Sequence, residues 1–391
     1  MSACAVEYIV YPELTADTTV LDAADKHFID TIGAANIEAI WENAISAVRK
    51  ASRAQDNKTE LHWPSTNQSE ARPLQASDPA LKVQNNAPRH LGLLSWPKYT
   101  SIWKLKFPYK YMYRSTPLDT YLYVIEEGVD IVHEDFNGIS IEWHYSPNAV
   151  QSQSDNDPDG HGTCVASLAA GKDSGVIKER RTLVVMKSTL SAADILDAFS
   201  KTLEDMVAKN RQKKTVVIFA SGSDGSIEHM SPFTPDKFMW ERVRLIVQDL
   251  IRYGAVIVTA AGNGGHQRKF IDETPAVWSL WDYPKNEKII SATAVNEDGE
   301  PADFAQIGNK PGEDRVFWAP GENVQCASAR SKGSKPVDGT SFSTGLIAAE
   351  WWIQFMRRAG TRAIKDTSGT KMIWNGEDGS DAAFGNDTYV D

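Results

Sequence analysis

Beyond residue 90 the chain sets short runs of branched apolar residues against longer segments with helical periodicity. The runs are Tyr121–Ile125, Leu183–Met186, Val216–Ala220, Ala255–Thr259 and Ile289–Ala292. A strand with one wet face alternates apolar and polar residues; these runs mostly do not, so they predict strands covered on both faces, as in a parallel sheet. Between them, Gly162–Ala170, Ala192–Ala208 and Glu241–Tyr253 read as helices. Strands alternating with helices predict an α/β fold: a three-layer sandwich with a mostly parallel central sheet. In such sheets functional groups collect at the carboxyl ends of the strands.

The first 90 residues read differently. Glu7–Tyr11 has strand character and stops at Pro12, and Ile37, Ile40, Trp41, Ala44, Ile45 and Val48 recur at helical spacing after Asn36. A small α/β unit is expected there. From about Ala54 to Arg89 the chain is polar and interrupted by Pro64, Pro73, Pro79 and Pro88, the composition of a linker. The expected organisation is therefore an N-terminal region with its linker over 1–90 and a main domain over 91–391.

Charge narrows the partners. With 41 basic and 52 acidic residues the net charge is −11, and no Lys/Arg stripe with interleaved aromatics is present, so no nucleic-acid partner is expected. No apolar stretch reaches the roughly 18 residues of a membrane span. The first 30 residues lack the basic and apolar regions of a signal peptide. Sequons at Asn57, Asn67 and Asn386 matter if a signal peptide was removed and the protein is secreted; otherwise an intracellular location is expected. Cys4, Cys164 and Cys326 are too few and scattered for a disulfide framework and match no zinc spacing. Cys164 reads as a small buried hydrophobe, with a redox-sensitive thiol as the alternative. Asp155, Asp157 and Asp159 lack EF-hand spacing and read as loop carboxylates, and no metal or cofactor is expected.

Four segments carry chemistry. Asp338–Thr344 is a small-residue turn that delivers Ser341 to an apolar helix containing Leu346, Ile347, Trp351, Ile353 and Phe355. Taken alone, Ser341 is either a nucleophile among unpaired backbone N–H groups or an ordinary helix cap. The run before Gly128 ends in Glu126, the loop Asp157–Thr163 carries His161, and Val258–Gly265 ends a strand in Asn263. A serine needs an imidazole to take its proton, and the imidazole needs an acceptor on its other nitrogen. An amide must then donate to the developing oxyanion. His161, Glu126 and Asn263 can fill these roles around Ser341, although each is separately compatible with a turn or a solvated strand end.

The wording of these segments is specific when taken together. Gly339-Thr340-Ser341-Phe342-Ser343, His161-Gly162-Thr163-Cys164-Val165-Ala166 and Ala260-Ala261-Gly262-Asn263 resemble the nucleophile, histidine and oxyanion segments of the subtilisin-like serine peptidases. Gly128-Val129-Asp130 with His133-Glu134-Asp135-Phe136, and Trp318-Ala319-Pro320-Gly321, are weaker echoes. The resemblance spans about residue 88 to about 360, in the family order acid, His, Asn, Ser. It implies a subtilisin-like domain that cleaves peptide bonds through an acyl-enzyme, with Glu126, His161 and Ser341 as the triad and Asn263 in the oxyanion hole. It further implies that Ser221 and Gly222, with Ala261 and Gly262 opposite, bind an extended peptide or protein substrate, and that the N-terminal region corresponds to a propeptide; a monomer is expected.

The chain departs from the pattern in four places. Glu126 stands where the family has aspartate. Gly345 replaces a proline and is expected to loosen the turn behind the serine. Lys187-Ser188-Thr189-Leu190 leads straight into a helix, without the glycine-rich wall of the family's cleft, and Cys164 replaces a histidine. These departures leave an alternative, a divergent pseudoprotease or a catalyst repurposed for another reaction.

Overall fold

A computed structural model of the chain describes residues 81–96, 105–114, 119–149, 157–223, 235–266, 270–280, 288–308, 315–357, 361–363, 371–373 and 375. The strand and helix expected within residues 7–48, and the polar linker as far as residue 80, lie outside them.

The apolar runs form the sheet. Its strands are β3 (Thr120–Glu126), β4 (Ser140–Tyr145), β5 (Arg181–Lys187), β6 (Thr215–Phe219), β7 (Val256–Ala260), β8 (Ile289–Val295), β9 (Val316–Pro320), β12 (Thr361–Ala363) and β13 (Lys371–Ile373). The order is β12-β13-β9-β8-β7-β6-β3-β5-β4, with every neighbouring pair parallel except β12 with β13. Two antiparallel pairs stand apart. β1 (Leu81–Asn85) pairs with β2 (Lys110–Arg114), and β10 (Val324–Ala327) pairs with β11 (Ser334–Val337). The first pair carries the described fold to Leu81, inside the segment with linker composition.

Alternate residues of each central strand face opposite layers. Leu122, Val124, Leu183, Val185, Val216, Ile218 and Val258 pack with helices α1 (Arg89–Leu94), α2 (His161–Ala170) and α5 (Thr340–Arg357). Tyr123, Ile125, Val184, Met186, Val217, Phe219 and Ile257 face α3 (Ala192–Ala208) and α4 (Pro235–Arg252). This is the three-layer α/β sandwich with a mostly parallel central sheet that the alternating runs predict. It requires strands apolar on both faces, which is why periodicity two is absent from them.

Edge strand β4 is the exception, since its residues are half-buried or exposed. It is braced by charge. Arg211 Nη2 lies 2.5 Å from Glu142 and Nη1 lies 2.8 Å from Asp205, while Lys209 Nζ lies 2.7 Å and 2.6 Å from the same two residues.

One sequence reading is corrected. Cys164 is neither a free apolar filler nor a free thiol: it forms a disulfide with Cys326, joining α2 to β10 across a sequence separation of 162. Both residues are fully buried. Neither spacing nor local composition could foretell the pair, because the packing of α2 against β10 alone brings their Cα atoms to 5.1 Å.

Candidate active site

Three sheet strands and two helix starts converge at the carboxyl edge of the sheet. β3 ends in Glu126, whose side chain is buried, and its Oε2 lies 3.1 Å from His161 Nδ1. The other carboxylate oxygen is buried with no hydrogen-bond donor among the described residues, so the imidazole is the partner that meets its charge. Glu127 makes no hydrogen bond to His161 among the described residues.

His161 is the first residue of α2. Gly160 precedes it at φ +74°, and Asp157 supplies the cap, accepting from Gly160 N at 3.1 Å and Thr163 N at 2.6 Å. Burial works to lower the His161 pKa, but the charge of Glu126, the hydrogen bond to it and the charges of Asp157 and Glu127 together outweigh burial. The net effect raises the imidazole above its ordinary value.

Ser341 sits in the first turn of α5 and is buried. Its hydroxyl donates to the Ala220 carbonyl at 2.9 Å, and among the described residues no hydrogen bond joins it to His161. The next residue, Phe342, places its ring 5.5 Å from the imidazole. Rotation about one side-chain bond is the motion available to the hydroxyl, and hydrogen bonds of this kind commonly tighten only once substrate is present.

Asn263 is exposed at the turn after β7. Its Oδ1 accepts from Thr340 N at 2.9 Å and from Thr340 Oγ1 at 3.0 Å. A backbone N–H can only donate, so this contact fixes the amide orientation and leaves Nδ2 facing elsewhere. Thr340 Oγ1 also accepts from Gly262 N at 3.1 Å, tying the β7 turn to the helix that carries Ser341. Thr340 escaped the sequence reading because its clamp spans 77 residues and has no local signature.

Beside Ser341 opens a cavity of about 420 Å³ lined by Ser221, Gly222, Gly262, Asn263 and Glu273, among others. With Ser341 itself in the wall, five residues singled out from the sequence therefore meet there. Ala261 does not: it is fully buried and packs in the core on the α3 and α4 side, so Ala260 takes its place in the wall. Glu273 is the lining residue that sequence reasoning missed.

Among the described residues one cluster brings three possible metal ligands together, Glu142, His144 and Asp205. Lys209 and Arg211 already occupy its carboxylates, which makes it an ion-pair network. The loop after β5 is as short as expected: Ser191 already caps α3, four residues beyond Lys187.

A carboxylate-imidazole pair, a serine at a helix start and a clamped asparagine at one sheet edge are the components of serine-based acyl transfer. The chain belongs to the subtilase family, whose model matches residues 119–351, more than half of its length. It is 27% identical over 231 residues to Subtilisin-like protease 2 of Trichophyton rubrum, covering 58% of this chain and 47% of that protein. It is also 27% identical over 320 residues to Subtilisin-like proteinase Mp1 of Magnaporthiopsis poae, covering 77% and 69%. The chain thus spans about half of the first of these relatives and just over two thirds of the second. A crystal structure of a cold adapted subtilisin-like serine proteinase superposes with a TM-score of 0.54 at 21% identity, covering 74% of this chain and 98% of that one, a likeness of fold.

Proposed function

We propose that the protein is a serine endopeptidase that hydrolyses peptide bonds with a Ser341–His161–Glu126 triad. The observation that carries this reading is the 3.1 Å contact between Glu126 Oε2 and His161 Nδ1, beside the helix start that bears Ser341. In the proposed cycle Ser341 Oγ leaves the Ala220 carbonyl, gives its proton to His161 Nε2 and attacks the substrate carbonyl. Glu126 holds the Nδ1–H tautomer and balances the imidazolium. Asn263 Nδ2 and the Ser341 N–H donate to the oxyanion, with Asn263 held in place by Thr340. His161 then protonates the leaving amine, and water releases the acyl group from Ser341 by the same path in reverse.

The substrate is read as an extended peptide or protein segment lying along Ser221 and Gly222, with one side chain in the adjoining cavity. Residues ahead of Leu81 are read as a propeptide-like region. A buried disulfide suits an oxidising compartment, which favours secretion.

Labelling with a fluorophosphonate tests the reading. The wild type should be modified and Ser341→Ala should not. No labelling of the wild type, whether intact or truncated before Leu81, would favour the pseudoprotease alternative.

A further inference from the structure

The hairpin of β10 and β11 is basic in an acidic chain: residues 324–337 hold Arg330, Lys332 and Lys335 and no acidic residue, against a net charge of −11 for the whole. It is fastened to the loops around His161. Arg330 N donates to Asp130 Oδ2 at 2.7 Å, and Arg330 Nη2 donates to the Asp157 carbonyl at 3.1 Å. His133 Nε2 donates to the Gly333 carbonyl at 2.8 Å, and Ala327 N donates to Ser167 Oγ at 3.0 Å. The Cys164–Cys326 bond adds a covalent tie, and Cys326 is the cross-strand neighbour of Lys335.

These ties set Lys335 over the start of α2. A Cβ built on Gly160, the residue before His161, would stand 3.1 Å from Lys335 Nζ and 3.2 Å from Ala329 Cβ. Gly160 stands at φ +74° and offers no side chain to cover the ammonium. Among the described residues no carboxylate pairs with Lys335. The Asp157 carboxylate is committed to Gly160 N and Thr163 N, and Glu127 and Asp159 form no ion pair with the lysine.

Taking the peptidase reading of the site as given, we propose that Lys335 is a specificity residue on the leaving-group side of the cleft, favouring an acidic side chain within the two residues after the cleaved bond. The cavity beside Ser341, read above as holding a side chain of the bound segment, is lined by neither Gly160, Ala329 nor Lys335, so these residues form a separate flank. His161 protonates the leaving amine in the proposed cycle, and the departing segment therefore runs past the imidazole and the start of α2. There a carboxylate gains a charge-assisted pair with Lys335, and a lysine meets like charge. Because such a pair stays partly hydrated, it sets a preference and not an absolute requirement.

Hydrolysis by the full chain tests the inference, with peptides identical up to the cleaved bond and carrying Glu, Gln or Lys at the first or second residue after it. Glu should exceed Lys in kcat/KM by about fivefold or more at one of these positions, with Gln between. Lys335→Met should shrink that margin to about twofold or less, and Lys335→Arg, which keeps the charge, should retain it. No preference for Glu in the wild type, or one that Lys335→Met leaves unchanged, overturns the proposal. Where no peptide is cleaved, binding decides: fluorescence anisotropy compares a fluorescein-labelled peptide ending in Glu-Glu with its Gln-Gln counterpart on Ser341→Ala, with and without Lys335→Met. Tighter binding of the Glu peptide that is lost with Lys335→Met supports the site and leaves the missing cleavage to count against the peptidase reading alone. Equal binding of the two peptides then overturns the proposal. Thermal melting of Lys335→Met, together with the Lys335→Arg rescue, guards against misfolding as the cause.

Discussion

Glu126 reaches His161: its Oε2 lies 3.1 Å from Nδ1, so a glutamate at the end of β3 spans the gap to the imidazole. Room for its longer side chain comes from Gly162, where a Cβ would lie 2.8 Å from Glu126 Cβ and 3.3 Å from its Cγ. The strand end and the helix start therefore approach more closely than any other residue at 162 would allow. Shortening the acid should open the contact. Glu126→Asp is expected to lower kcat, and Glu126→Gln to lower it further, towards the roughly 10⁴-fold loss seen when a subtilisin triad loses its acid. A rise in kcat for Glu126→Asp would show that glutamate is a defect here.

The raised His161 pKa sets the pH dependence. In the proposed triad only the neutral imidazole can accept the serine proton, so kcat/KM should rise with pH through a midpoint above the ordinary 6.5 of histidine. Stability runs the other way. Because the folded pKa lies above the unfolded one, the contribution of the charged pair is complete below pH 6.5 and is lost as pH rises through the folded midpoint. In Glu126→Gln both the rate midpoint and this stability step should move down, as pH-rate profiles and urea titrations would record. An unchanged midpoint would mean that Glu126 does not govern the imidazole.

Asn263 has separable duties. Its Oδ1 clamps Thr340 and its Nδ2 is the proposed oxyanion donor. Asn263→Asp retains the acceptor and removes the donor, so kcat should fall by at least about 10²-fold while KM changes little. A variant with undiminished kcat would remove Asn263 from the oxyanion role.

The Cys164–Cys326 bond closes a loop across 162 residues and fastens the helix that carries His161 to the hairpin preceding α5. Replacing both cysteines with serine should cost about 2–5 kcal/mol of stability. Urea unfolding with and without reductant measures this. Equal midpoints for the wild type under the two conditions would show that the bond contributes nothing.

Gly345 proves to be a point of close contact and not a loosened turn. A Cβ there would lie 2.6 Å from the Val165 carbonyl oxygen on α2 and 3.2 Å from Leu168 Cβ. Gly345→Ala should push apart the helices bearing His161 and Ser341, destabilising the fold by about 1–3 kcal/mol and lowering kcat more than it raises KM. A thermal midpoint at or above that of the wild type would contradict the contact.

The chain order by itself determined a great deal. Runs such as Val216–Ala220 and Ala255–Thr259 specify strands covered on both faces, since water on either face would demand alternation. The same order places Glu126, Asn263 and the His161 and Ser341 helix starts where the carboxyl edge of a parallel sheet must be. Local pattern could not supply the contacts made between distant segments. The reach of Glu126, the Asn263–Thr340 clamp and the Cys164–Cys326 bond each join residues 35 or more positions apart. Their distances are decided by how helices and strands pack, and a packing distance is a property of the assembled layers that no short stretch of sequence contains.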